Sequence, residues 1–328
     1  MNDILENIKT KGMQKFIALG ALILLYAAFS VFGNNFFTVD TLVSIFDASY
    51  YIGFLAIGVT FVIITGGIDL SIGTVMMCSA IVGGTLYNNA GLPLWLCLFI
   101  IILVGGIFGL ANGIMVSRLK LPPFIATLGT MMVASGVGSI VSNVQSTTFP
   151  MRSSPDGWYK DIFRTADNFP TGIFVLIAFT VIAVILLNKT VIGRYTFAIG
   201  SNKEAARLSG VNVNKWETVV YMISGLFAGL AGIAYAATYT TILPGAGQGF
   251  ELQAIAGVVV GGTSLSGGVG SVIGTFIGVF IMSVLKIGLP YVDLQPHYQT
   301  LITGIVVIGA VLLDIYRSKK EKSVKIKS

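Results

Sequence analysis

Long apolar runs alternate along the chain with short polar or Gly/Pro interruptions, and the runs between those interruptions predict about ten membrane spans. They lie near 15–33, 43–64, 69–87, 93–116, 123–143, 171–188, 217–238, 252–265, 269–289 and 298–316. The eighth is short for a full crossing, which fits a tilted, broken or re-entrant segment. Two interruptions repeat each other. Gly66-Gly67-Ile68-Asp69-Leu70-Ser71-Ile72-Gly73 and Gly261-Gly262-Thr263-Ser264-Leu265-Ser266-Gly267-Gly268 both read G-G-x-x-L-S-x-G. Matching glycine-rich breaks in the two halves of a membrane protein point to a transport pathway. The expected fold is therefore an all-α polytopic membrane protein of about ten transmembrane helices with weak internal duplication.

Composition strengthens this picture. The chain is 55% hydrophobic and 10% charged, whereas a soluble domain is about 25% charged. No polar block is long enough to bury a core of its own, so residues 15–316 read as one transmembrane domain, with tails at 1–14 and 317–328. Cys78 and Cys97 sit in apolar runs and read as small buried hydrophobes. His297 is the single histidine, which leaves no histidine cluster for a metal. The first apolar run, Phe16–Phe32, leads into Gly33-Asn34-Asn35 and not into a small-residue cleavage site, so it reads as a span and not a signal peptide.

Charge sets the orientation. Lys9, Lys11 and Lys15; Arg118 and Lys120; Lys189, Arg194, Lys203, Arg207 and Lys215; and the basic residues from Arg317 onward form four clusters separated by even numbers of spans. All four fall on one side, which the positive-inside rule makes cytoplasmic, with both termini there. On the other side, Arg152, Lys160 and Arg164 are offset by Asp156, Asp161 and Asp167. The net charge of +6 thus reflects orientation and attraction to an anionic leaflet, and requires no nucleic acid.

The longest cytoplasmic segment between spans, 189–216, carries local signals. Ser201-Asn202-Lys203-Glu204 has the S-x-x-E spacing of a capping box, and Gly210 stands where a left-handed residue would stop a helix. A helix over about 202–209 is predicted outside the membrane. Two turns are marginal alone, so docking on the protein's own helix ends or on a partner is expected.

Glu204-Ala205-Ala206-x-x-x-Gly210 resembles the EAA-x-x-x-G loop of bacterial ABC-importer permeases. Phe197–Gly200 with Ser209–Val213, Thr65–Ser71, Pro123–Thr130, and Glu251–Ala256 with Val258–Gly270 resemble the ribose/galactose-type monosaccharide permeases, in order and over about 16–316. Gln253 departs from that pattern, which has Asp there. The resemblance implies a transport subunit in a bacterial cytoplasmic membrane that is not itself an enzyme and holds no cofactor. ATP and Mg would belong to a separate sugar ABC ATPase subunit. An extracytoplasmic binding protein would deliver a monosaccharide, and a second permease copy, identical or different, would complete the pathway. It also implies that Asn202, Glu204, Ala205, Ala206, Arg207 and Gly210 couple to the ATPase.

No G-x-x-x-x-G-K-[ST] occurs in the chain, so energy from ATP would have to come from another subunit. A secondary sugar or ion symporter and a non-transporting scaffold are the rival readings. Asp69 is the sole charged residue between Asp47 and Arg118. It reads either as a helix cap or as a residue lining the sugar pathway, as do Ser71, Thr263, Ser264 and Ser266 at the breaks. Asn112, Thr127 and Thr130 are further polar groups that bond sugar or neighbouring helices. Glu251 and Gln253 read as an interfacial cap or as the outer mouth, and Lys286 as a snorkelling residue. Gly105-x-x-x-Gly109-x-x-x-Gly113, Gly225-x-x-x-Gly229 and Gly270-x-x-x-Gly274-x-x-x-Gly278 are ridges for close helix packing. Span counting places both glycine motifs toward the cytoplasmic side, as an inner gate or hinge, and the copies differ most at Asp69, where the second has Ser264.

Overall fold

In hydrocarbon every backbone N–H and C=O needs an internal partner, so the apolar runs fold as helices. The computed structural model describes residues 2–295, 297, 298, 300–309, 311, 312 and 316, and for residues 2–15 the backbone path alone. The expected tail 317–328 lies outside the described residues. The helices are α1 (Asn2–Phe32), α2 (Val39–Ile64), α3 (Ile72–Ala90), α4 (Leu94–Ser117), α5 (Pro123–Val141), α6 (Gly172–Lys189), α7 (Val191–Ser201), α8 (Lys203–Leu208), α9 (Val213–Tyr239), α10 (Phe250–Val260) and α11 (Val272–Gly288).

Among the described residues six stretches are long and apolar enough to cross a membrane: α2, α4, α5, α6, α9 and Val272–Val292. Phe16–Phe32, Phe250–Val260 and Thr300–Gly309 are apolar but shorter. The eighth predicted run is thus a half-length helix, α10, that ends at the second glycine break. Among the described residues each of the first nine predicted runs overlaps one of these helices and the tenth overlaps Thr300–Gly309, but ten full-length crossings are not what the described residues contain.

Burial sorts the helices. The apolar window of α2 is wholly buried and that of α9 largely so, whereas α4, α5 and α6 keep most of theirs on the outside. The small-residue ridges let backbones meet. A Cβ on Gly109 would lie 2.9 Å from Gly225 Cα, and one on Gly229 would lie 2.7 Å from Ile102 Cα, so α4 and α9 are in backbone contact. Gly257 of α10 faces Gly278 of α11 in the same way, at 3.3 Å.

At one end of the bundle the polar segment 144–170 folds into a cap. Strands β1 (Thr147–Thr148) and β2 (Thr241–Ile242) pair antiparallel, Thr147 opposite Ile242. A 3₁₀ turn, Pro155–Ile162, lies over the end of α9. There Tyr159 donates to Ala236 O (3.2 Å), and Lys160 donates to Ala237 O (3.4 Å) and to the Thr240 hydroxyl. Burial, and then the charge of Arg152, push the Lys160 ammonium below the ordinary lysine value of 10.5. The acidic partners differ from simple neighbour offsetting. Arg152 pairs with Asp161, but Arg164 reaches Asp47 of α2 at 2.9 Å, and Asp156 accepts from Tyr87 at 2.9 Å.

Candidate functional site

Both glycine motifs end a helix with the same device. At the end of α2, Gly66 is left-handed (φ +79°); its N–H reaches Ile63 O (2.9 Å) and that of Gly67 reaches Val62 O (3.1 Å). At the end of α10, Gly262 is left-handed (φ +93°); its N–H reaches Val259 O (2.9 Å) and that of Thr263 reaches Val258 O (3.1 Å). Each is a Schellman stop, which needs a residue free of the Cβ penalty at the left-handed position. The device falls on the first glycine of one copy and the second glycine of the other. The repeat is therefore offset by one residue in its use.

Beyond the first stop, Asp69 is 1% exposed. Its Oδ1 accepts from Ser71 N (3.1 Å), Ser71 Oγ (2.6 Å) and Asn112 Nδ2 (3.4 Å), and its Oδ2 accepts from Ser224 Oγ (2.9 Å). Asn112 also donates to Ser71 Oγ (2.8 Å) and accepts from Thr130 Oγ1 (2.5 Å). No Lys or Arg pairs with Asp69 among the described residues. One carboxylate thus ties the first break to α4 and α9 through neutral donors, each such charge-assisted bond being worth about 1.5–3 kcal/mol, and Asn112 extends the network to Thr130 of α5. Ser224 was not singled out by sequence, where it is one hydroxyl within an apolar run.

The second break forms a separate polar loop. Thr263 Oγ1 accepts from Ser271 N (3.3 Å), and Ser264 Oγ accepts from Ser266 N (3.2 Å). Thr263 and Ser264 are buried and Ser266 is exposed. Among the described residues no hydrogen bond links Thr263 or Ser266 to Asp69 or Ser71, and the two breaks meet through backbone. Gly268 N donates to Ile64 O at 2.8 Å. A Cβ on Gly267 would lie 2.9 Å from Gly66 N and 3.0 Å from Gly200 O. A Cβ on Gly200 would overlap Ile64 O and lie 2.5 Å from Gly268 N. Gly200, in the last turn of α7, is thus wedged between the two breaks.

Two residues further on, α8 begins. The capping residue is Asn202, not Ser201. Ser201 closes α7, while extended Asn202 (φ −161°) accepts from Ala205 N at 3.0 Å. Glu204 turns from the expected box to Arg207, at 2.8 and 3.1 Å. Gly210 (φ +83°) stops α8 as predicted, with Gly210 N on Arg207 O (3.0 Å) and Val211 N on Ala206 O (3.1 Å). Ala206 is buried with Ile199 and Val213, and the half-exposed Lys203 pairs with buried Glu217 of α9 at 2.6 Å. These contacts fix α8 to the ends of α7 and α9. Its outer face carries Ala205, Glu204, Arg207 and Leu208, the last 83% exposed. An apolar side chain left so bare beside a charged pair is a surface feature that sequence reasoning passed over.

Glu251 and Gln253 lie in the first turn of α10. Glu251 is buried, and its Oε1 accepts from Gly249 N at 2.9 Å. Its Oε2 is buried without a hydrogen-bond partner, facing Gly73 in the first turn of α3; a Cβ there would lie 2.7 Å from it. Gln253 Oε1 is likewise buried and unpartnered.

Residues 41–311 match the family described as branched-chain amino acid transport system / permease component. The chain is similar to the ribose import permease of Haemophilus influenzae, with 35% identity over 92% of this chain and 93% of that protein. Its identity to the ribose import permease of Escherichia coli K12 is 36%, over 90% and 92% of the two chains. To the galactose/methyl galactoside import permease of the same strain it is 35%, over 82% and 84%. Among solved structures, an inward-facing metal-chelate type ABC transporter matches with a TM-score of 0.50 at 18% identity, covering 91% of this chain and 99% of that one. That likeness bears on fold alone.

Proposed function

The chain belongs to the branched-chain amino acid transport system permease family, and from that premise we propose that it is the membrane subunit of an ATP-driven importer of a monosaccharide. The family description names amino acids, but the relatives matched over most of their length carry ribose, fructose or galactose in their names. The structural observation that supports the reading is the wedge of Gly200 between the two glycine breaks, two residues before a capped helix with an exposed face.

In this reading the α8 end is cytoplasmic, as are both termini, and the cap of 144–170 faces the binding protein. All ten apolar runs cross or enter the bilayer, α10 as a half-helix, and a second copy or a related chain completes the complex. A separate ATPase, holding ATP and Mg, receives α8 through Leu208, Glu204 and Arg207. When the ATPase subunits close, α8 moves with α7, and Gly200 shifts both breaks together. The breaks are hinges for α2–α3 and α10–α11, so one displacement changes access on the solute pathway.

Reconstitution tests this. Proteoliposomes with the cognate ATPase and sugar-binding protein should take up labelled D-ribose, D-fructose or D-galactose only with ATP inside, and a protonophore should leave uptake unaltered. Uptake that needs a proton gradient and no ATPase would instead establish the symporter.

A further inference from the structure

A polar and aromatic cluster away from the glycine junction is not used by the coupling described above. Tyr51 of α2 is fully buried. Its ring meets Tyr235 and Tyr239 of α9 edge-on at 5.2 and 5.9 Å and Phe250 of α10 at 5.4 Å. Lys286 of α11 donates to the Tyr51 hydroxyl, with its Nζ 4.9 Å from the Tyr51 ring centre and 5.1 Å from that of Phe250. No ion pair among the described residues involves Lys286. A lysine in a spanning helix costs about 2.5–3.5 kcal/mol on insertion scales, and one without a carboxylate partner marks a functional site by default. A snorkelling lysine would run its head to the interface; this one turns it onto a buried phenol.

The geometry points to an intramembrane subsite for a polyhydroxylated solute, formed by Lys286, Tyr51, Tyr235, Tyr239, Phe250 and Gln253. An ammonium has three donors, and a single one is used on Tyr51 among the described residues. Gln253 stands one helical turn beyond Phe250 on the same face of α10, with its carbonyl oxygen buried and unpartnered. Ser283, one helical turn before Lys286 on α11, carries a buried hydroxyl that is also unpartnered. The cluster therefore holds spare donors and acceptors beside aromatic rings, which can cover the C–H face of a sugar while the polar groups take its hydroxyls. A carboxylate solute would also suit a free ammonium, but the neutral donors and acceptors around it fit hydroxyls better. α10 runs directly into the second glycine break, so movement of that break repositions one wall of the subsite.

This inference rests on the importer reading, and one experiment separates the two. In the reconstituted complex, labelled D-ribose and D-galactose carried per ATP hydrolysed are measured for the unsubstituted chain and for Lys286→Met, Lys286→Arg, Tyr51→Phe and Phe250→Leu, together with thermal stability in detergent. Lys286→Met should lower the ratio about tenfold, the loss of a charge-assisted bond to the moving solute. Lys286→Arg should recover most of it, and Tyr51→Phe should lower it about threefold. Unchanged ratios in all four variants overturn the subsite alone. So does a fall confined to Lys286→Met that follows its thermal stability while Tyr51→Phe and Phe250→Leu behave as the unsubstituted chain. Absence of ATP-dependent uptake by the unsubstituted complex overturns the importer reading and the subsite with it.

Discussion

Gly200→Ala is the sharpest perturbation of the junction. The added Cβ would overlap Ile64 O and sit 2.5 Å from Gly268 N, whereas ordinary contact begins near 3.4 Å. Both neighbours are backbone, so no side chain can rotate away, and the end of α7 must retreat by about 1 Å. Overpacking of this kind costs about 1–3 kcal/mol, and pulling Gly268 N from Ile64 O adds about 0.5–1.5 kcal/mol. α8 keeps its own cap at Asn202 and its stop at Gly210, so its outer face is intact. The expected phenotype is therefore specific: the variant still binds the ATPase, and hydrolysis continues, but sugar carried per ATP falls at least about tenfold, as a loss of about 1.4 kcal/mol of coupling would give. Co-purification with the ATPase, hydrolysis and uptake are measured on one preparation. Gly20→Ala, with open space around its Cβ, is the control and should match the unsubstituted chain. A Gly200→Ala variant with normal uptake per ATP would refute the idea that this contact transmits motion.

Other substitutions probe the remaining parts. Gly210→Ala places a side chain at φ +83° and should destabilise the end of α8 by about 1–2 kcal/mol, weakening ATPase co-purification, with Gly210→Asn restoring much of it. Leu208→Ser should weaken the same association with little effect on thermal stability, because Leu208 is 83% exposed in the isolated chain. Asp69→Ala strands the Ser71 and Ser224 hydroxyls and the Ser71 N–H and should lower stability in detergent by about 3 kcal/mol or more, read from the thermal midpoint. The cap carries a pH dependence. The folded state binds the Lys160 proton more weakly than the unfolded chain, so cap stability should rise as pH climbs from the depressed folded value toward 10.5 and level off above it. Protease protection of 149–163 against pH checks this, and Lys160→Met should flatten the curve.

How much of this was legible in the sequence depends on the range of the interaction. The apolar runs located every long helix, because hydrocarbon burial leaves a local trace. Gly210 was legible because a left-handed stop is a property of neighbouring residues. The cap of α8 was misplaced by one residue, since Ser201 and Asn202 are both competent caps and the choice was made by α7, which runs on to Ser201. α7 itself was missed: eleven residues with Arg194, Tyr195 and Thr196 among apolar ones look like loop. The two glycine motifs were seen as a pair, but that Gly66, Gly267 and Gly200 touch is a long-range fact with no local trace. The same holds for Ser224 at Asp69. That Glu251 is buried against Gly73, where Gly247 also arrives, is likewise a long-range contact with no local trace.

The central claim is that α8 and the second break move as one body. It is tested most directly by paired spin labels in the full complex, with Cys78 and Cys97 replaced by serine. One pair joins Arg207→Cys to Ser266→Cys, and the other joins Ser266→Cys to Trp158→Cys in the cap; all three sites are exposed. Between the nucleotide-free and the ATP-trapped complex, the first distance should hold while the second changes. A first distance that changes while the second stays fixed would contradict the account.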